Sequence, residues 1–336
     1  MTTTAASQYC NILHDLAPPI VIIEEAAEIL EAHVISSLSV KCQHLIMIGD
    51  HKQLRPKSNV FKLSQKYNLD TSLFERMINN GIKYEVLEYQ HRMKPLISDL
   101  LVPYVYKDLK DHSSVFQYPK IEGVAKDLFF IDHKEMESEP CDGSESFENH
   151  HEAEFLLALC RHLVFNGYTQ CDVTIITPYS GQYRCIKKLQ RTPEFDLCQG
   201  VRVSILDNYQ GEESNIILLS LVRSNAEGKV GFLRIDNRVC VALSRARYGM
   251  YIIGNMTQML SSSALWTAIN TKLVDGGNIG SELPLSCKNH PDQKISVSSH
   301  QDILLKSPEG GCRQPCGATL PICKHTCTRL CHVLDK

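Results

Sequence analysis

Pro18-Pro19-Ile20-Val21-Ile22-Ile23-Glu24-Glu25-Ala26-Ala27-Glu28 is the stretch on which the reading of this chain turns, and Gly49-Asp50-His51-Lys52-Gln53-Leu54-Arg55-Pro56 answers it. Four consecutive β-branched residues run straight into two carboxylates. A strand buried inside a parallel sheet is apolar throughout, whereas a half-exposed strand alternates. The run therefore predicts a buried parallel strand. Open α/β sheets take their ligands at the carboxyl ends of such strands, and Glu24 and Glu25 fall at that end. One carboxylate there can hold Mg2+, and its neighbour can orient and deprotonate a hydrolytic water. A nucleoside triphosphatase needs both jobs done beside the γ-phosphate. The bland reading of the same pair is a negative charge placed at a helix N-terminus.

Leu45-Ile46-Met47-Ile48 reads as a second strand, closed by Gly49-Asp50. A helix-like stretch, 26–38, separates the two and completes a βαβ unit. The amide of Gln53 can then report on a phosphate or a water.

Outward from this unit, the 336 residues suffice for two ordinary domains and a small appendage. Hydrophobic content is 43%, charged content 22% and the formal net charge −3. That balance excludes a globally basic protein, so nucleic acid would need a local basic groove. No apolar run has the length of a membrane span. Residues 1–7 lack the basic region and apolar core of a secretory signal. Of 14 cysteines, those from Cys10 to Cys240 lie mostly in apolar patterns and read as free thiols of a reducing compartment, the cytoplasm or the nucleus.

Asp70 or Thr71 is expected to cap a helix that runs on to Met77. In Gln90-His91-Arg92-Met93-Lys94-Pro95, Arg92 beside amide and imidazole groups reads as a phosphate ligand or as a plain surface arginine. Residues 132–154 hold nine acids against one lysine and read as a solvated, mobile loop. Helical spacing follows over 152–164, ended by Asn166-Gly167. His150, His151 and His162 show no ligand spacing and read as surface residues. From Asp172 on, strands over 173–176, 201–206, 216–222 and 250–253 alternate with helices over 183–190 and 237–247. This rhythm predicts a parallel sheet with right-handed crossovers. Thr177, Tyr179 and the basic helix bearing Arg184, Lys187, Lys188 and Arg191 suit a single-stranded nucleic acid, or an ordinary strand-to-helix turn.

Residues 257–286 read as a helix and then a linker. Beyond them lie Cys287-x2-His290, Cys312-x3-Cys316, Cys323-x-His325-x-Cys327 and Cys331-His332. Thiols and imidazoles this closely spaced can close a tetrahedral Zn2+ site. Disulfides are the alternative, disfavoured by the lack of a secretory signal. Seven Lys/Arg against four Asp/Glu from Cys287 onward suit nucleic acid or a protein partner. With few apolar residues there, metal is expected to carry the folding.

Six motifs now stand in order: Ile-Ile-Glu-Glu-Ala-Ala, Gly-Asp-His-Lys-Gln-Leu-Arg-Pro, Gln-His-Arg-Met-Lys-Pro, Thr-Pro-Tyr-Ser-Gly-Gln, Asn-Tyr-Gln-Gly-Glu-Glu and Val-Ala-Leu-Ser-Arg-Ala-Arg. Together they resemble the motor motifs of superfamily 1 helicases of the Upf-like group, and most closely the NFX-type zinc-finger-containing helicases. The resemblance covers about residues 1–256. It implies an α/β protein of two RecA-like, P-loop-type domains, the first incomplete, with ATP between them, followed by a small Cys/His-rich zinc-binding region. The implied division is 1–85 for the end of the first RecA-like domain, 86–258 for the second, 259–286 for the linker and 287–336 for an incomplete finger region.

Glu24 would take the Mg2+ place, where the family usually has the shorter Asp. Glu25 would be the general base and Gln53 the γ-phosphate sensor. Arg92 and Arg245 would be arginine fingers. Gln210, Gly211 and Glu213 would contact nucleotide or couple it to the nucleic-acid track. Thr177, Pro178 and Tyr179 would lie near the bound strand, as would Thr3 and Thr4 of a Thr-rich motif. Cys287, His290, Cys312, Cys316, Cys323, His325, Cys327, Cys331 and His332 would hold Zn2+. The implied partner is single-stranded RNA, with DNA left open, in RNA silencing or antiviral surveillance. No Gly-x-x-x-x-Gly-Lys-Ser/Thr phosphate loop occurs in the sequence. The chain is therefore expected to be an N-terminally incomplete product that hydrolyses ATP poorly alone, or an RNA- and protein-binding scaffold without turnover.

Overall fold

Ile20–Ile23 (β1) pairs in parallel with His44–Met47 (β2), with Ile20 opposite His44 and Ile23 opposite Met47. The computed structural model describes residues 1–57, 61–138, 146–320 and 324–334. It comprises two compact units, 1–87 and 88–336. In the first, the βαβ unit is present with a shorter crossover than 26–38: a 3-10 turn Ala26–Glu28 and a helix Glu31–Ser36. The extended backbone of Ile29 and Leu30 separates the two.

Ile23, Ala26, Val34 and Leu73 form a small core, with Val21, Leu45 and Met47 packed against it. The opposite face of the strand pair is open: Ile20 is 54% and Ile22 64% exposed. This corrects the expectation of a strand buried on both sides. Within the unit, the packed side chains cover one face of the pair only. The helix Leu73–Asn79 is capped by Ser72, not Asp70 or Thr71. Its hydroxyl accepts the Glu75 N–H at 3.0 Å, in a Ser-x-x-Glu arrangement.

The second unit opens with a short parallel pair, Tyr89–Gln90 (β3) and Lys110–Asp111 (β4). Its main sheet has six parallel strands: Leu128–Asp132 (β5), Val173–Thr177 (β6), Arg202–Ile205 (β7), Ser214–Ser220 (β8), Ala246–Gly254 (β9) and Ile279–Gly280 (β10). The order is β10-β5-β9-β8-β6-β7. Leu-Phe-Phe-Ile, Val-Thr-Ile-Ile-Thr and Ile-Ile-Leu-Leu are buried on both faces, as continuous apolar runs require. β5 and β10 were not anticipated, although Leu128-Phe129-Phe130-Ile131 carries the same signal as β1.

Residues 259–286 are not a linker. They hold the helix Ala264–Asp275, whose Trp266 is fully buried, then β10 and the strand Leu283–Cys287 (β11). β11 forms an antiparallel hairpin with His290–Val297 (β12). A helix His300–Lys306 and a second antiparallel pair, Gly310–Pro315 (β13) and Leu330–His332 (β14), complete this layer. The layer is not starved of apolar contacts either. Leu283, Leu285, Val297 and Ile303 share one core with Leu156, Leu159 and Leu163 of the helix His150–Phe165.

That helix is therefore covered on two sides, and His162 is buried rather than at the surface. Its Nε2–H donates to Gly123 O at 2.8 Å, and its Nδ1 lies 3.0 Å from Ser307 Oγ. Burial lowers its pKa from 6.5 to about 4, only partly opposed by the Gly123 hydrogen bond. The fold thus prefers the neutral ring. The associated stability is complete above pH 6.5 and lost as pH falls towards 4, about 3 kcal/mol in all. Urea unfolding of wild type and His162→Gln at pH 7 and pH ~4.5 checks this. The variant should be less stable at neutral pH yet lose less on acidification. Equal losses would refute it.

Residues 139–145 of the acidic stretch lie outside the described residues. The acids flanking them are not all solvated. The Glu137 side chain, 7% exposed, pairs with Arg223 at 2.9 Å, and Glu152 is fully buried.

Candidate functional site

Glu24 and Glu25 leave the carboxyl end of β1 exposed to solvent. Glu25 sits in the left-handed region, φ 53°, a backbone cost tolerated where the surroundings fix it. Here Ala26 N–H donates to Ile48 O and Ile48 N–H to Ile23 O, both at 2.8 Å. A Cβ on Gly49 would meet Ala27 N at 2.9 Å, so only glycine lets the two turns close on each other. Asp50 then organises the second turn, its carboxylate accepting Lys52 N–H and the Gln53 side-chain amide, each at 2.9 Å. The acid pair and the loop that holds Gln53 are thus brought together. Thr3 and Thr4 lie in the short helix Thr3–Gln8, which Thr2 caps.

A second group of motif residues meets in the other unit, at the amino ends of β8 and β9. Gln90 shapes the loop: its Oε1 accepts Arg92 N–H (2.9 Å) and Met93 N–H (2.7 Å), and its amide donates to Met93 O (2.7 Å). Arg92 Nε donates to Glu213 Oε2 at 2.7 Å and its NH1 to Ser244 O at 3.2 Å. Arg247 approaches the other oxygen of Glu213 at 3.6 Å. Arg245 is 1% exposed. It donates to Val241 O (3.0 Å), Ser244 Oγ (2.7 Å) and Glu212 O (3.4 Å). Gly211, at φ 74°, makes the turn that glycine alone adopts cheaply, and Gln210 precedes it, half-buried. Three motifs distant in sequence therefore converge, but the two arginines differ. Arg92 is partly exposed, whereas Arg245 is folded into its own unit.

Thr177, Pro178 and Tyr179 stand at the opposite, carboxyl end and are buried. Of the two readings of this stretch, the packed Tyr179 ring fits the ordinary strand-to-helix turn. Tyr179 is packed by Phe147 and Phe232, donates to Val230 O at 3.3 Å and lies beside the Arg223 guanidinium. Burial raises its hydroxyl pKa, partly opposed by Arg223. Gly181 and Gln182 of the same motif are structural. Gln182 bonds Asn149 N–H at 2.7 Å and Ser220 Oγ at 3.0 Å. Phe232 is an exposed ring at this end, 48% accessible and faced by Arg238 at 4.5 Å. Sequence reading missed Phe232 and Arg223. An arginine directly after a buried strand was the available signal.

In the C-terminal layer, ligand atoms of Cys287, His290, Cys312 and Cys331 lie within 4.8 Å of one another, as do those of Cys316, Cys327 and His332. Cys287 Sγ is 3.6 Å from Cys331 Sγ and 3.7 Å from His290 Nδ1; Cys312 Sγ is 3.2 Å from His290 Nδ1. A 3.6 Å S···S separation is far beyond a disulfide bond of about 2.05 Å. Burial pushes the Cys287 thiol up, yet hydrogen bonds with His290 and neighbouring backbone amides outweigh it and bring it to about 7. Cys327 Sγ is 3.5 Å from His332 Nε2, while His332 Nδ1–H donates to Leu334 O at 2.7 Å. That second bond leaves Nε2 as the ligating nitrogen. His325 is exposed and joins neither group. Cys323 lies outside the described residues.

The second unit is an α/β fold on a six-stranded parallel sheet, with a Cys/His-bearing layer on its flank. The chain belongs to the AAA domain family, whose profiles match residues 69–257 and 1–58. It is 52% identical over 335 residues to the NFX1-type zinc finger-containing protein 1 of Mus musculus, covering 100% of this chain and 17% of the mouse protein. It is 40% identical over 309 residues to the helicase required for RNAi-mediated heterochromatin assembly 1 of Schizosaccharomyces pombe, covering 90% of this chain and 30% of that protein. Identity to the regulator of nonsense transcripts 1 of Dictyostelium discoideum is 32% over 263 residues, 75% of this chain and 19% of that one. The chain thus spans less than a third of each of these relatives. Among the described residues no helix is long and apolar enough to cross a membrane.

Proposed function

We propose that this chain carries part of an ATP-dependent superfamily 1 RNA helicase motor, together with zinc-binding residues. Residues 1–85 and 86–258 would contribute to two RecA-like domains working on single-stranded RNA. The observation that carries the reading is the convergence of Arg92, Glu213 and Arg245 from three separate motifs on one corner of the sheet. The acid pair supports it, exposed at a strand end beside the Gln53 loop. The relatives named for RNAi-mediated heterochromatin assembly and for nonsense transcripts favour RNA silencing or surveillance as the setting, in cytoplasm or nucleus.

When bound, ATP with Mg2+ supplies the phosphoryl group and the charge that the motor works on. Glu24 would hold the metal. Glu25 would orient the attacking water and take its proton. Gln53 would read the γ-phosphate. Arg92 would turn from Glu213 towards the charge that develops on the phosphoryl oxygens. Gln210, Gly211 and Glu213 would couple that corner to the RNA track. At the far end of the sheet, the exposed Phe232 offers a ring suited to a base, while Arg238 beside it is paired with Asp207.

A second reading is an RNA-binding scaffold without turnover. A chimaera in which the upstream stretch of the mouse relative precedes residue 1 separates the two. It should hydrolyse ATP when single-stranded RNA is added, and Glu25→Gln should slow this by at least about 10²-fold. RNA binding with no turnover in the chimaera would establish the scaffold instead.

A further inference from the structure

The seven Cys and His residues that fall into two groups in the C-terminal layer do not read as fingers strung along the chain. Their ligand groups interleave. Cys287, His290 and Cys312 belong to one group, Cys316 and Cys327 to the other, Cys331 to the first again, and His332 to the second. We infer that Cys287, His290, Cys312 and Cys331 form one closed zinc site, distinct from a second site on Cys316, Cys327 and His332. We further infer that the first site is a clamp within the core of the helicase-like unit rather than an independent finger.

The distances fit. Zn–S bonds of about 2.3 Å and Zn–N bonds of about 2.0–2.1 Å at tetrahedral angles put sulfurs roughly 3.8 Å apart, and sulfur and nitrogen roughly 3.6 Å apart. The edges found are 3.6 Å between Cys287 and Cys331, 3.7 Å from Cys287 to His290, and 3.2 Å from Cys312 to His290. Three thiolates and one imidazole make a closed structural set, with no position left for a reacting ligand. The surroundings hold the ligands in place. The Asn289 side-chain amide donates to Cys331 Sγ at 3.2 Å and to His332 O at 3.0 Å, so it touches both groups. A Cβ on Gly311 would fall 2.3 Å from Cys331 O and 2.7 Å from Cys331 Sγ. Only a glycine lets β13 lie this close to the ligand on β14.

The placement of the site makes it a clamp. Its ligands come from β11, the first residue of β12, β13 and β14. Cys287, Cys312 and Cys331 are each 3% exposed or less. All three belong to the same core as Phe155, Leu156, Leu159 and Leu163 of the helix His150–Phe165. One residue before Cys312, Gly311 O accepts the Ser307 hydroxyl at 2.8 Å, and that hydroxyl also meets His162 Nδ1 of the helix. Gly310 O accepts the Asn166 side-chain amide at 3.2 Å. The metal would join four strands that otherwise form two separate antiparallel pairs, and the joined layer covers the helix behind the sheet. This inference does not depend on ATP turnover.

The test uses the full chain and reads metal content by plasma mass spectrometry together with amide hydrogen exchange. Wild type should carry two zinc equivalents. Cys331→Ser should lose one and increase exchange across residues 155–163. Cys327→Ser should lose the other and leave exchange in that helix unchanged. Should Cys331→Ser fail to fold, Cys331→His should retain a cobalt spectrum with weaker thiolate charge transfer. In that case chelation of the wild-type protein should expose the same helix amides. A Cys331→Ser chain that folds and keeps its full metal content would overturn the clamp. So would helix exchange that responds to Cys327→Ser as strongly as to Cys331→Ser, or that ignores chelation.

Discussion

Arg92→Ala, placed in a chimaera that turns ATP over, should lower kcat by about 10³–10⁵-fold, the range for loss of an arginine finger. The same change should leave the second unit folded. Arg92 is partly exposed, and its partners are one similarly exposed carboxylate and one carbonyl oxygen; such an ion pair contributes about 0–1 kcal/mol. Arg92→Lys should not restore the rate, because an ammonium lacks the planar fork that spans two phosphoryl oxygens. Glu213→Gln, which weakens the hold on Arg92, should preserve the fold as well. Arg245 behaves oppositely. Its guanidinium is buried and satisfies three acceptors, so Arg245→Ala should unfold the unit before its effect on turnover can be read. Steady-state ATP hydrolysis beside thermal unfolding separates the two arginines. Unimpaired turnover in Arg92→Ala would remove the finger assignment.

Glu152→Ala should cost about 3–5 kcal/mol of stability, the scale for removing one partner of a buried polar network. The carboxylate is wholly inaccessible and accepts three donors: His133 Nε2–H at 3.0 Å, Ser220 Oγ–H at 2.5 Å and Val222 N–H at 2.8 Å. The His133 tautomer is set by Glu135 N–H, which donates to Nδ1 at 3.1 Å. Val222 is a β-branched residue at φ 71°, a conformation that persists only when the surroundings impose it. Glu152 supplies part of that constraint, and the Asn149 side-chain amide adds more by donating to Val222 O at 3.4 Å. Removing the carboxylate strands three buried donors and frees a strained residue together. Equilibrium denaturation of the variant measures the loss, and a value under ~1 kcal/mol would show that the network does not hold this end of the sheet.

The sheet was largely legible because parallel strands declare themselves as unbroken apolar runs. β6, β8 and β9 fall where Val173-Thr174-Ile175-Ile176, Ile216–Val222 and Met250–Ile253 place them, within a few residues. The short strands β10 to β14 were not legible. Two to eight residues of mixed polarity carry no period that distinguishes strand from linker. His162 was misread for a related reason: its burial depends on the layer from β11 to β14, which folds onto its helix from more than 100 residues away. At the acid pair, the sequence named the residues, while the structure added the glycine contact and the left-handed Glu25 that hold them in place. The aromatic end went the other way. Tyr179 has the residue type for stacking, but Phe147 and Phe232 cover it, and no local pattern encodes that neighbourhood.

β8 leaves the Glu213 corner and ends two residues before Val222, with Arg223 next. Its seven residues, at about 3.3 Å each, make a strut of about 23 Å. It is flanked by β6 and β9, and most of its side chains lie in close-packed core. Its ladder to β9 shifts register once, between Ser214 and Ile216, and runs unbroken from Ile216 to Ser220. Glu213, held by Arg92 before one end, and the Arg223 guanidinium, resting on Phe147 and beside Tyr179 past the other, are therefore anchored to one strand.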